Sequence, residues 1–308
     1  MNKDLSLLLL GIKGIGTKKL SDIWSAIEFM HVDVQELLAD DKKILELLNS
    51  LNPKKELTIE EISFARDHAR RISQLCAEYA IGIIGKEETL YPKNLVSLPK
   101  APFILYYKGN PRILNEMPSI AVIGTRTPSN TGAKAALRLG AILGQRGVAV
   151  ISGLALGCDT QAHKGCLSVG GHTVAVLAEG LDVISPSSNW ELANEICADE
   201  GCLLSEYPPS FRAQKGSFVQ RDYLESGIST GVIMVEASLN SGTMHTIKYA
   251  LEQKRQVGVF VSPKSQLLDD NLAGNALILE KKQGQRISSK EELDSFLMNC
   301  FPKSKFVN

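Results

Sequence analysis

From Ile120 onward, short unbroken apolar runs recur between stretches of helical period: "IAVIG" (120–124), "VAVIS" (148–152), "TVAVL" (173–177), "GVIMVE" (231–236) and "VGVFV" (257–261). A strand with one wet face alternates polar and apolar residues, whereas a run apolar at every position needs cover on both faces. Between the first two runs, Ala136, Leu139 and Leu143 share one helical face behind the N-cap candidates Ser129, Asn130 and Thr131. "NSGTMHTIKYALEQKRQ" fills the last interval, and "SKEELDSFLMNCF" reads as a final helix capped by Ser288 or Ser289 with Glu291 or Glu292. Buried strands alternating with helices predict an α/β domain with a doubly wound, mainly parallel sheet.

The pattern before Ile120 is different. Residues 1–78 read as helical, with Leu20, Ile23, Trp24 and Ile27 at i, i+3, i+4 and i+7 and Gly14-Ile15-Gly16 breaking "GIKGIGTKKL" into two helical segments. In residues 79–118, Pro92, Pro99, Pro102 and Pro111 interrupt the chain, and "FILYYKG" is the one strand expected. The expected organisation is therefore an all-α domain at 1–78, a linker with a first strand at 79–118, and an α/β domain at 119–308.

Composition narrows the function. Thirty-four basic residues balance thirty-four acidic ones in 308 residues, so any nucleic-acid binding has to use a local patch rather than a global positive field. The apolar run Leu5–Leu10 is too short to span a bilayer and lacks a small-residue cleavage site, so a cytoplasmic protein without membrane contact is expected. The six cysteines form no CxxC pair and the five histidines add no metal-ligand spacing, which predicts neither disulfide nor metal nor other cofactor.

Ligands of doubly wound sheets bind at the C-terminal strand ends, where helix N-termini present N–H groups. Three such ends are rich in glycine and hydroxyls: "GTRTPSNTG", "SGLALGCDTQAHKG" and "EASLNSGTMHT". Glycine lets backbone approach a phosphate, and Ser and Thr add donors. Together they predict an anion site that includes Gly124, Thr125, Ser152, Gly153, Gly157, Ser241, Gly242 and Thr243. None matches GxGxxG, the P-loop or GxSxG, which disfavours a standard dinucleotide, ATP or α/β-hydrolase site. Asp159 is expected to cap the helix after the second turn, His163 to brace that turn, and Glu236 to hold a neighbouring loop. "RAQKGSFVQRDYLESGIS" sets Arg212, Lys215 and Arg221 beside Phe218 and Tyr223, the cations and stacking rings of a single-strand surface, diluted by Asp222 and Glu225.

These motifs resemble the DNA processing protein A (DprA, or Smf) family, whose pattern is a "GSR" turn, "SGLAxGID…AH", "GLDVIYP", "GNFPxRNRxIxGLS" and "VVEAxxxSGSLITA". Here they stand in the same order as Gly124-Thr125-Arg126, "SGLALGCDTQAHKG", "EGLDVISP", "KGSFVQRDYLESGIS" and "VEASLNSGTMHTIKYA". "LLGIKGIGTKKL" is similar to the family's N-terminal module of SAM or helix-hairpin-helix type, and the winged helix many members carry at the C-terminus has no counterpart. The resemblance implies an extended Rossmann-like core and a non-enzymatic protein that binds single-stranded DNA with little sequence preference, hands it to RecA recombinase in natural transformation, and forms a homodimer. It implies a phosphate contact for Arg126 and a DNA groove lined by Lys215, Gly216, Phe218 and Arg221. Asp222 and Tyr223 depart from the "RNR" run, and each lost cation is expected to weaken binding. Two alternatives share the anion pocket: a free-nucleotide sensor, and a nucleoside-monophosphate phosphoribohydrolase, in which a Glu stands where this chain has Thr246.

Overall fold

The computed structural model describes residues 2–52, 56–262 and 269–301. The chain divides into two compact units, Met1–Tyr91 with Pro99–Tyr106, and Pro92–Leu98 with Tyr107–Asn308. Residues 79–118, expected as a linker, are thus shared between the units, and the last stretch of the expected 119–308 domain, 302–308, lies outside the described residues.

The first unit contains α1 (Lys3–Leu10), α2 (Thr17–Phe29), α3 (Val34–Ala39), α4 (Asp41–Leu51) and α5 (Ile59–Glu78), followed by β1 (Gly82–Gly85). Asn2 caps α1 by accepting from the Asp4 and Leu5 amides, and Thr58 with Glu61 forms a capping box on α5. The stripe Leu20, Ile23, Trp24 and Ile27 is buried as the spacing predicts, in one cluster with Leu5, Leu9, Ile44 and Ile62. Trp24 Nε1 keeps its polar end satisfied by donating to Ser6 Oγ at 3.1 Å.

Then come α6 (Lys93–Val96), β2 (Ile104–Gly109) and α7 (Ile113–Glu116). The second unit alternates β3 (Ser119–Ile123), α8 (Asn130–Gln145), β4 (Ala149–Ser152), α9 (Cys158–Leu167), β5 (Thr173–Leu177), α10 (Trp190–Ala198), β6 (Cys202–Ser205) and α11 (Lys215–Ile228). It continues with β7 (Gly231–Met234), α12 (Thr243–Glu252), β8 (Gln256–Phe260), α13 (Ala273–Glu280), β9 (Gln285–Ile287) and α14 (Lys290–Cys300). Its strands lie in the order β6-β5-β4-β3-β7-β8-β9, and each neighbouring pair is parallel. This is the expected Rossmann-like, doubly wound sheet, apolar on both faces, with Ile120, Val122, Val150 and Ile233 packed against Ala136, Leu139, Leu143 and Phe296 of the covering helices.

The strand order reverses between β3 and β7. After β3 the chain winds toward β4, after β7 toward β8, so the two loops diverge and leave a crevice at their C-terminal ends. Ile123 pairs with Met234, which aligns the starts of the "GTR" and "EASLNSGT" turns across that crevice. Among the described residues no helix is long and apolar enough to cross a membrane.

Three short strands, β1, β6 and β9, have no counterpart among the expected runs, the last two in the second unit. "CLLS" carries no β-branched residue, and "QRI" buries only Ile287, so neither has the signature of a core strand. The stretch read as a mixed basic and aromatic surface segment is the helix α11. Its buried face includes Arg221, Asp222, Glu225 and Ser226, which hides the helical period from a hydrophobicity pattern.

Candidate nucleic-acid interface

The first turn of the crevice is held by the end of β7. Thr125 N–H donates to the Glu236 carbonyl at 2.8 Å, and the Thr125 carbonyl accepts from Cys158 N at 3.2 Å. The buried Glu236 carboxylate accepts from Ser129 N at 2.8 Å and Ser129 Oγ at 2.5 Å, while Ser129 Oγ caps α8 by accepting from Gly132 N at 3.0 Å. Glu236 therefore holds the neighbouring loop as expected, and Arg126 projects from a turn fixed on both sides.

The second turn, between β4 and α9, depends on two glycines. Gly157 has φ +82, and a Cβ there would overlap the Thr125 carbonyl and the Arg126 backbone. A Cβ at Gly153 would overlap the Arg221 guanidinium. The glycine spacing of this turn thus admits a neighbouring turn and an arginine. Asp159 does not cap α9, because the helix starts at Cys158 with Gly157 as its N-cap. From inside the first turn its carboxylate accepts from Gly153 N at 3.2 Å and Ala155 N at 3.3 Å, folding the loop back onto the helix.

Two further expectations change. Ser152 is fully buried beneath the Asp159 carboxyl, its hydroxyl donates to the Val122 carbonyl at 2.8 Å, and it lines neither cavity of the crevice. His163 braces α9 against β5 rather than bracing the turn. Thr173 Oγ donates to the Val150 carbonyl at 2.7 Å, which leaves it to accept from His163 Nδ1–H, also at 2.7 Å. Burial, with Arg221 nearby, pushes the His163 pKa down to about 3, so the ring stays neutral.

The third component is α11. Phe218 is half-exposed, and the Arg126 guanidinium lies over its ring at 5.4 Å from the centroid. Lys215 and Gly216 are exposed in the first turn of α11 and do not line the crevice. Arg212 is engaged, donating to Asp182 at 3.1 Å. Tyr223 is not a lost surface cation. It is 5% exposed and packs edge-on against Tyr249 at 5.2 Å between centroids, so an arginine at this position would face the core, not the crevice.

Arg221 is only 8% exposed, which makes it a floor residue rather than a groove cation. Its Nε donates to Asp222 Oδ1 at 3.1 Å and its Nη1 to the Val176 carbonyl at 3.4 Å. Asp159 and Glu225 add their charges around the same guanidinium. Thr246 donates weakly to Glu225 Oε2 at 3.4 Å, and Glu225 Oε1 is buried with no partner. Burial raises the pKa of all three carboxyls: Asp159 above its ordinary value, Asp222 to about 6, and Glu225 well above the usual carboxylate range.

These groups enclose a cavity of about 290 Å³. Gly124, Thr125, Arg126, Phe218, Ser241, Gly242 and Thr243 line it, as do Asp159, Arg221, Asp222 and Glu225. Arg126, Ala155, Phe218 and Arg221 also form one wall of a second cavity of about 210 Å³, which Gly153, Leu156, Pro186 and Ala213 help complete. The crevice thus has donors at its mouth, where the turn of Arg126 and the N-terminus of α12 meet, and carboxyls on its floor. The floor is what sequence reasoning missed. Its signal was present, since Arg221 with Glu225 and Asp222 with Glu225 stand at i, i+4 and i, i+3, one face of a helix once the segment is known to be helical.

The sequence profile of the family described as DNA recombination-mediator protein A matches residues 82–297. Protein Smf of Synechocystis is 34% identical over 219 residues, 70% of this chain and 51% of the relative, so this chain spans about half of that protein's length. Among solved structures, DNA processing protein A from Streptococcus pneumoniae superposes with a TM-score of 0.76 at 26% identity, covering 96% of this chain and 98% of that one. DNA processing protein A from Helicobacter pylori, studied for its single-stranded DNA binding mode, superposes with a TM-score of 0.63 at 30% identity, over 71% of this chain and 96% of that one.

Proposed function

This chain belongs to the DNA recombination-mediator protein A family, and on that premise we propose that it binds single-stranded DNA at the β3–β7 crevice, with little sequence preference, and delivers it to RecA. The observation that carries this reading is the Arg126–Phe218 pair at the crevice mouth, a cation held over a half-exposed ring. Bases stack on such rings whatever their sequence, and the guanidinium offers a phosphate a charge-assisted, bidentate contact. Gly242 and Thr243 at the N-terminus of α12 supply backbone donors for a phosphate, and across the crevice Thr125, whose N–H is held by the Glu236 carbonyl, adds its hydroxyl.

The reading is one of binding, not catalysis. The His163 imidazole is buried against Thr173, and the Ser241 hydroxyl donates to the Ser238 carbonyl at 2.9 Å.

Fluorescence anisotropy with a labelled single strand and its duplex, titrated over a range of salt, tests it. A single-strand preference with a steep salt slope is expected. Equal affinity for duplex would overturn the reading, and a shallow slope shared with free mononucleotides would favour a nucleotide sensor instead. Arg126→Ala is expected to weaken single-strand binding about ten-fold and to lower the salt slope by about one, because one phosphate contact is lost.

A further inference from the structure

The crevice floor is an unusual surface for an anion site. Three carboxyls, from Asp159, Asp222 and Glu225, surround one guanidinium, and all four line the same cavity as the donors at its mouth. Glu225 is 2% exposed, and its Oε1 faces no hydrogen-bond donor. A buried carboxyl left that way is costly to ionise, and it gains most from carrying a proton. With every carboxyl protonated the floor has one positive charge, and with every carboxyl ionised it has two negative ones.

We propose that this floor is a proton-operated switch on DNA binding: the carboxyls around Arg221 take up protons as a phosphate enters the crevice, and repel the phosphate when they ionise. The inference rests on the reading that DNA phosphate binds here and names how that site is regulated.

The groups that face the switch are few. From α9 come Asp159 and, against Arg221, the neutral His163; from α11, Arg221, Asp222 and Glu225 themselves. From α12, His245 and Tyr249 lie near Asp222, and Thr246 donates to Glu225. Arg126 stands at the mouth of the same cavity. Asp222 sets the working range, since burial has already moved it to about 6 and an incoming anion moves it further up. A carboxyl whose pKa rises on binding takes up a proton, so affinity falls as pH rises through and above that value.

Titration calorimetry of the protein with a single-stranded oligonucleotide, near pH 7 in buffers of different ionisation enthalpy, reads that proton directly. Net uptake of a substantial fraction of a proton is expected, with affinity falling about ten-fold or more between pH 6 and pH 8. Asp222→Asn keeps an oxygen for Arg221 Nε and cannot ionise. It is expected to bind more tightly than the parent at pH 8 and to take up less than half as many protons, and Glu225→Gln to flatten what remains. His245→Gln removes the imidazole beside Asp222 and is expected to leave most of the uptake in place. Binding without proton uptake, or uptake unchanged in both carboxyl variants, would overturn the switch while leaving the site's DNA binding intact. No binding at any pH would instead overturn the functional reading beneath it.

Discussion

Arg221→Ala is expected to lower the stability of the fold by about 3–5 kcal/mol, on the order of 10 °C in melting temperature, a larger loss than any single DNA-contact substitution should cause. The reason is the surroundings, not the two hydrogen bonds removed. Asp159, Asp222 and Glu225 all lie within the field of this one guanidinium and are nearly inaccessible to water. Without it they must either ionise unpaired in a low-dielectric interior or hold their protons. Thermal melting at several pH values separates this from a packing defect. The Asp222 pKa is already raised from 3.8 to about 6 in the fold. A raised carboxyl contributes stability fully below its unfolded value and loses it as pH rises through the folded one. The deficit of Arg221→Ala should therefore shrink toward pH 5 and widen toward pH 8. A pH-independent deficit would mean that Arg221 matters only for its volume.

Gly157→Ala is expected to lower stability by about 2–3 kcal/mol and to reduce single-strand affinity more than Arg126→Ala does. Its φ of +82 already strains any side chain, and the new Cβ would collide with the Thr125 carbonyl and the Arg126 backbone. Relief requires the "GTR" turn to move, which takes Arg126 off Phe218 and breaks the Cys158 N to Thr125 O bond. Gly147→Ala is the matched comparison, because Gly147 also has positive φ, +67, but has no atom within 4 Å of the added Cβ. It is expected to cost only the backbone strain and to bind DNA like the parent in the same anisotropy assay. If Gly157→Ala bound DNA equally well, the second turn would not be what positions Arg126.

Much of this architecture was legible in the chain. The five unbroken apolar runs are β3, β4, β5, β7 and β8 to within a few residues at their ends, because a strand covered on both faces has no polar position to disguise it. The α2 stripe and the Ser289 cap were equally direct, since each is a local pattern with a local cause. The glycine-rich turns at the ends of β3 and β7 pointed to the crevice for the same reason.

What stayed hidden lies where polar groups are buried by partners distant in sequence. Ser152 looks like a phosphate donor until the Val122 carbonyl is found beside it, and Tyr223 looks like a lost arginine until Tyr249 is found against it. Arg221 looks like a groove cation, yet the fold places it under the turn of Gly153 among three carboxyls. The sequence by itself determined the strands covered on both faces and the glycine- and hydroxyl-rich turns at their ends, because hydrophobic period and turn composition act over a few residues. Only the tertiary structure decided which charges face the crevice and which face one another, because that balance depends on burial and on the distances between α9, α11 and α12, and no local pattern records either.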